Sequence, residues 1–204
     1  MKREFAGRVV LITGAGKGTG AALAEAFAAR GAQVALNDIS PINVEEVAAR
    51  IVSGGGLARV YLHDVAKKVG VQALVKQVEE EWGRVDILVQ HAAVQPRTPL
   101  LDLDEWDWHR TLDVNLTGAF LLLQSLGRVM RAQGGGIIVN LAAGAEPAAG
   151  AYQASMAGLR GLGLAAAREL AAFGVQVHTV DLGVGAVERV LDLCRQAPSV
   201  IPPP

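Results

Sequence analysis

Aromatic residues make up only 4% of this 204-residue chain, although 51% of its residues are hydrophobic. The core must therefore be built of Ala, Val, Leu and Gly, as in sheets buried on both faces. A single cysteine, Cys194, rules out an internal disulfide. That scarcity predicts a reducing, cytoplasmic setting. There is no basic run and the formal net charge is −1, so neither nucleic acid nor an anionic membrane is an expected partner. No apolar stretch reaches the roughly 18 residues that a membrane span needs. Met1 to Arg8 lacks the longer apolar region of a signal peptide. His63, His91, His109 and His178 show no metal-ligand spacing with Cys194 or the carboxylates, so no metal is expected.

What is present is alternation. Short apolar runs at 9–13, 33–37, 57–62, 85–90, 136–141 and 175–180 read as strands. Helical patterns at 18–29, 41–52, 67–82, 103–132 and 151–173 lie between them. Such alternation predicts an α/β fold, a Rossmann-type doubly wound parallel sheet of six strands with helices on both faces. No linker divides the chain, so 1–204 reads as one domain. The last helical piece, 184–197, precedes Pro202–Pro204, and no seventh strand follows.

The strongest local signal is Thr13-Gly14-Ala15-Gly16-Lys17-Gly18-Thr19-Gly20, placed after the first strand and opening the first helix. Glycines let the backbone turn tightly and approach a pyrophosphate, and the helix N-terminus supplies free N–H groups. Gly14, Gly18 and Gly20 are the candidate pyrophosphate residues, with Lys17 and Thr19 beside them. Asp38 ends the second strand 24 residues beyond Gly14, where a carboxylate can accept both adenosine ribose hydroxyls. It would repel a 2′-phosphate and so favours NAD over NADP, while Lys17 pulls the other way. The blander role for Asp38 is a turn residue in Asn37-Asp38-Ile39-Ser40-Pro41. A methyltransferase could use a similar loop and acid, but the remaining motifs argue against it.

Over residues 5–183 the chain resembles the short-chain dehydrogenase/reductase family. The resemblance rests on Thr13, Gly14, Gly18 and Gly20 in the glycine loop, His63-Asp64-Val65, and the strand Asp86-Ile87-Leu88-Val89. It continues in Asp113-Val114-Asn115 and in Tyr152-Gln153-Ala154-Ser155-Met156. It implies that Asp64 holds the adenine amino group, and that Val65, Ala92 and Gly183 also lie along the cofactor. It implies Tyr152 as proton donor or acceptor, and Asn115 as the residue that positions water for a proton relay. It also implies subunit pairing through 110–131 and 151–172, hence a homo-oligomer.

The departures lie in the chemistry. The family's Lys, one helical turn after the Tyr, lowers the phenol pKa and holds the nicotinamide ribose; here it is Met156. The family's Ser after the fifth strand is replaced by Ala142 and Ala143. The stretch from Ala143 to Tyr152 is shorter than usual. An unassisted Tyr has a pKa of about 10, and positioned acid–base help is worth about 10²–10⁴ in rate. Arg160, two turns beyond Tyr152, reads as too distant to substitute. Gln90-His91-Ala92-Ala93 replaces Asn-Asn-Ala-Gly, and His91 reads as polar packing. Leu182 replaces a Pro, and 184–204 reads as a shortened segment lacking most of the substrate lid. Trp106 and Trp108 read as a core edge or oligomer contact, and Glu79–Glu81 as a solvated helix end.

Three functions fit these residues. The chain is an NAD(H)-binding protein with weak or absent redox activity. Alternatively it is an active NAD(P)-dependent oxidoreductase on a small carbonyl or alcohol, using Tyr152 and Asn115. Otherwise it is a scaffold that has lost the cofactor.

Overall fold

Strands of this sequence carry apolar side chains on both faces, and both faces are covered. The computed structural model describes residues 3–143 and 150–196. Six strands, β1 (Val9–Thr13), β2 (Gln33–Asp38), β3 (Leu57–Leu62), β4 (Ile87–Gln90), β5 (Gly136–Ala143) and β6 (Val175–Leu182), form one sheet in the order β3-β2-β1-β4-β5-β6. Every neighbouring pair is parallel. This is the doubly wound arrangement, whose order reverses between β1 and β4 and opens a crevice beyond their C-terminal ends.

Alternate residues of each strand feed two cores. Val10, Ile12, Val34 and Leu36 pack with α1 (Gly18–Ala28), α2 (Pro41–Ser53) and α7 (Ala186–Gln196), through Leu23, Phe27, Val44, Val47, Val190 and Leu191. Leu11, Leu88 and Ile138 pack on the other side with α3 (Lys68–Trp82) and α5 (Gly118–Gln133), through Leu74, Val78, Leu122, Leu126 and Met130. Among the described residues no helix is long and apolar enough to cross a membrane.

Several element boundaries differ from the sequence expectation. The single helix expected over 103–132 is three pieces: α4 (Glu105–Leu112), a π-helical turn (Asp113–Thr117) and α5. β4 begins at Ile87 rather than Val85: the Gln133 side chain accepts the Val85 N–H at 3.0 Å and donates to the Val85 carbonyl at 2.9 Å, and the Asp86 carboxylate accepts the Val9 N–H at 2.8 Å and the Arg84 guanidinium. Conversely β5 and β6 each run two residues past their expected ends, because Leu141↔Val180 to Ala143↔Leu182 stay in register. The helix expected over 151–173 is α6 (Gly150–Leu170) followed by a 3-10 turn at Ala171–Phe173.

Candidate active site

At the crevice beyond β1 and β4 lies a cleft of about 810 Å³. Gly14, Lys17, Asp38, Asp64, Val65 and Ala92, all singled out from the sequence, line it together. That size suits a small-molecule or cofactor site.

The loop is held by close packing. Gly14 has φ +66°, and a Cβ there would lie 2.8 Å from the Ala92 Cα. A Cβ on Gly20 would lie 2.2 Å from the Gly14 carbonyl oxygen. Ala15 N–H donates to the Asn37 carbonyl at 3.0 Å, which ties the loop to β2. Lys17 is the exposed N-cap of α1, and Gly18 and half-buried Thr19 form its first turn. Four backbone N–H groups at such an end lack intrahelical partners, which is the physical basis for anion binding there.

Asp38 does two things at once. Its Oδ2 accepts the Gly16 N–H at 2.9 Å and its Oδ1 accepts the Ser40 N–H at 3.0 Å. A carboxylate has about four lone-pair sites, so acceptor capacity remains for ribose hydroxyls. The turn role and the ribose role are therefore compatible. Gly16 was not among the sequence candidates, yet a Cβ there would lie 2.8 Å from Asp38 Oδ2. Asp64 is similarly braced: Oδ1 accepts the Ala66 N–H at 3.0 Å, and Lys67 Nζ lies 3.8 Å from Oδ2. Thr13 Oγ1 accepts the N–H groups of His91 and Ala92, which fixes the chain after β4 against β1. Trp106 is 66% exposed and lines the cleft, with the Arg110 guanidinium over its ring. It is a cleft residue rather than a core edge. Glu81 is likewise engaged, accepting from Arg59 and from the Tyr61 hydroxyl.

The other end of the site is apolar. Tyr152 lies near the start of α6, buried with Ala119, Ala142, Met156 and Leu159. Burial pushes its phenol above the ordinary value, and the Arg160 charge pulls it back by less. Arg160 thus acts on Tyr152 electrostatically, despite its distance along the helix; its guanidinium also pairs with Asp181. Asn115 sits in the π-helical turn. Its Oδ1 accepts the Val94 N–H at 2.8 Å, and its Nδ2 donates to the Val94 carbonyl and to Ser155 Oγ. Ser155 in turn donates to the Tyr152 carbonyl at 2.7 Å. Both side-chain N–H bonds of Asn115 are therefore spent on joining the cleft wall to α6. Ser155 gave no signal in the sequence, because a serine inside an apolar helix has many bland uses. Gly183 is exposed beyond β6, with open space around it, and does not line the cleft. Residues 144–149, within the shortened stretch before Tyr152, lie outside the described residues.

A polar row that the sequence did not reveal crosses beneath the site. Asn37, Thr13, Gln90, Asn140 and Thr179 are register partners on successive strands. Gln90 Nε2 donates to Asn140 Oδ1 at 2.9 Å. Gln90 Oε1 is buried without a partner, and Gln90 lines a small void of about 10 Å³ together with Thr13, Asn115 and Met156. Such a void is about the size of one water.

The short chain dehydrogenase family model matches residues 8–192. A D-threitol dehydrogenase of Mycolicibacterium smegmatis is 41% identical over 179 residues, covering 86% of this chain and 69% of that protein. A metagenomic short-chain oxidoreductase solved with NADP superimposes with a TM-score of 0.90 at 32% identity, over 95% of this chain and 93% of that one. An NAD+-bound xylitol dehydrogenase superimposes with a TM-score of 0.83, also at 32% identity, over 96% and 78% of the two chains.

Proposed function

The chain belongs to the short-chain dehydrogenase/reductase family, and from that premise we propose that it binds a nicotinamide dinucleotide while transferring hydride weakly or not at all. Members of the family bind nicotinamide dinucleotides and small-molecule substrates on this fold. The carrying observation is the contrast between the two ends of the site. Gly14, Asp38 and Asp64 open onto one cleft. Met156 lies buried against Tyr152 in an apolar cluster, where a cation would be needed. A neutral thioether cannot stabilise a phenolate, and burial acts against one. Near neutral pH the Tyr152 phenol stays protonated. It can give a proton to a carbonyl but is a poor base toward an alcohol.

If a dinucleotide binds, Gly14 to Gly20 would cradle its pyrophosphate, Asp38 its ribose, and Asp64 with Val65 its adenine. It would supply the hydride acceptor or donor. The Asp38 carboxylate favours NAD over NADP, since a 2′-phosphate would meet a fixed negative charge there. We also infer self-association through α5 and α6, which leave the apolar side chains of Phe120 and Leu164 exposed. Sedimentation at micromolar concentration tests this; a monomer overturns it.

A second possibility is an active oxidoreductase on a small alcohol or carbonyl. The identity to a D-threitol dehydrogenase and the field of Arg160 at Tyr152 favour it. Fluorescence titration with NADH and NADPH comes first. Saturable NADH binding, tighter than NADPH, is expected; no binding of either leaves only a scaffold role. Turnover of polyols or small ketones at rates ordinary for the family would replace the weak-enzyme reading with the active one.

A further inference from the structure

His91, in the segment after β4, has one ring nitrogen committed and one open. Nδ1 lies 3.0 Å from the Gly14 carbonyl oxygen, so Nδ1 carries the hydrogen and Nε2 is the atom that titrates. Nε2 has no partner among the described residues. The ring forms part of the cleft wall with Gly14, Lys17 and Asp38. It also lies directly against the first turn of α1: a Cβ on Gly20 would come within 2.7 Å of Nδ1.

Burial lowers the imidazole pKa below its ordinary value, against weaker opposing effects of the Gly14 hydrogen bond and the Asp38 charge. The other charged or titratable groups around the cleft are Lys17 from the loop, and His63, Asp64 and Lys67 after β3. His109 and Arg110 come from α4 and Asp113 from the π-helical turn. A diphosphate on the loop would add negative charge close to the ring, and charge interactions in a partly buried site are weakly screened.

We propose that His91 couples dinucleotide binding to proton uptake: its imidazole is neutral in the free protein and becomes imidazolium when a diphosphate occupies the glycine loop. The proton comes from solvent and adds to Nε2, and no bond of the ligand changes. The inference rests on the proposal that this cleft binds a dinucleotide. The sign follows from linkage. Binding raises the His91 pKa, so affinity is greatest at low pH. It weakens as pH rises from the free-state value to the bound-state value, and is flat above that.

The test is isothermal titration of the full chain with NAD+ across about pH 5.5–8, in two buffers of different ionisation enthalpy. Wild type should take up as much as one proton per NAD+ bound, and its Kd should weaken by up to about tenfold per pH unit within the window. His91→Asn should bind NAD+ with no slope and no proton uptake. His91→Gln serves the same purpose should the Asn variant lose its circular-dichroism signature. A flat wild-type profile overturns the inference, as does a slope that survives in the substituted protein, which would assign the proton to His63 or His109. Both results leave dinucleotide binding standing. Absence of saturable binding at every pH overturns the dinucleotide reading itself.

Discussion

One added methyl group separates two glycines of the same loop. A Cβ on Gly20 would lie 2.2 Å from the Gly14 carbonyl oxygen and 2.7 Å from His91 Nδ1, so Gly20→Ala must displace the loop backbone. A Cβ on Gly18 meets nothing within 4 Å, but its φ of +57° is a conformation that costs an L-residue roughly 1–2 kcal/mol. Gly20→Ala should therefore lose NADH binding by at least about tenfold, a loss of about 1.4 kcal/mol. Gly18→Ala should fold and bind, with a lowered melting temperature. Parallel melts and titrations check this; equal behaviour of the two variants would mean that close packing does not shape the loop. The Met156 site gives the opposite kind of test, a gain. Met156→Lys would place an ammonium beside the small void lined by Gln90, whose Oε1 lacks a partner. The double variant Met156→Lys, Ala143→Ser should gain carbonyl reduction on the order of 10²-fold over the parent. Its pH profile for alcohol oxidation should also shift downward, because a nearby cation lowers the Tyr152 pKa. An unchanged zero rate would show that these two positions do not limit the chemistry. The glycines, Asp38 and Met156 were legible in the sequence because each sits in a motif with fixed spacing. Gln90 and Ser155 were not, because their partners lie on other strands and helices.

Between α4 and α5 the chain departs from regular helix, and the departure is held by tertiary bonds. The π-helical turn Asp113–Thr117 positions Asn115, whose amide spans Val94 and Ser155. π turns recur at functional sites. This one had no local signature, since the segment's apolar spacing fits one long helix. The same blindness set the wrong start for β4: Val85 and Asp86 look like strand by hydrophobicity and neighbourhood. The later start goes with side-chain bonds far apart in sequence: Gln133 takes both backbone groups of Val85, and the Asp86 carboxylate takes the Val9 N–H. Strand order, by contrast, was readable, because alternating strands and helices with right-handed crossovers leave few arrangements. Asn115→Ala should leave the Val94 N–H and C=O without their side-chain partners, and Ser155 Oγ without its donor. The expected cost is about 2–4 kcal/mol. Urea unfolding would measure it. A change under about 0.5 kcal/mol, the range of neutral surface substitutions, would mean the latch is dispensable. Asn115→Asp keeps the acceptor for the Val94 N–H but turns a buried carboxylate oxygen toward the Val94 carbonyl, so it should be no more stable than Asn115→Ala.

Across the whole molecule, α7 reports on the cleft without touching it. Its Val190, Leu191 and Cys194 are buried in the core that also holds α1, and the Arg8 guanidinium donates to the Cys194 carbonyl at 2.8 Å. Arg195 and Arg30 both pair with Glu4, which fastens α7 and the end of α1 to the N-terminal segment. The Cys194 thiol is fully buried, and burial pushes its pKa up to about 12. Reaction with a disulfide reagent requires an accessible thiolate, so the folded protein should be inert near pH 8. Labelling then measures opening of the structure around Cys194. If α7 comes away only when the domain unfolds, any ligand of the folded state slows labelling in proportion to 1 + [L]/Kd. NADH at about 100 Kd should therefore slow labelling about 100-fold, although none of the cleft-lining residues belongs to α7. Leu191→Ala, which removes buried side-chain volume at this packing, should speed labelling in both conditions and preserve the ratio between them. Fast labelling that ignores saturating NADH would mean that α7 opens locally, and that the core beneath it and the cofactor cleft are separate cooperative units.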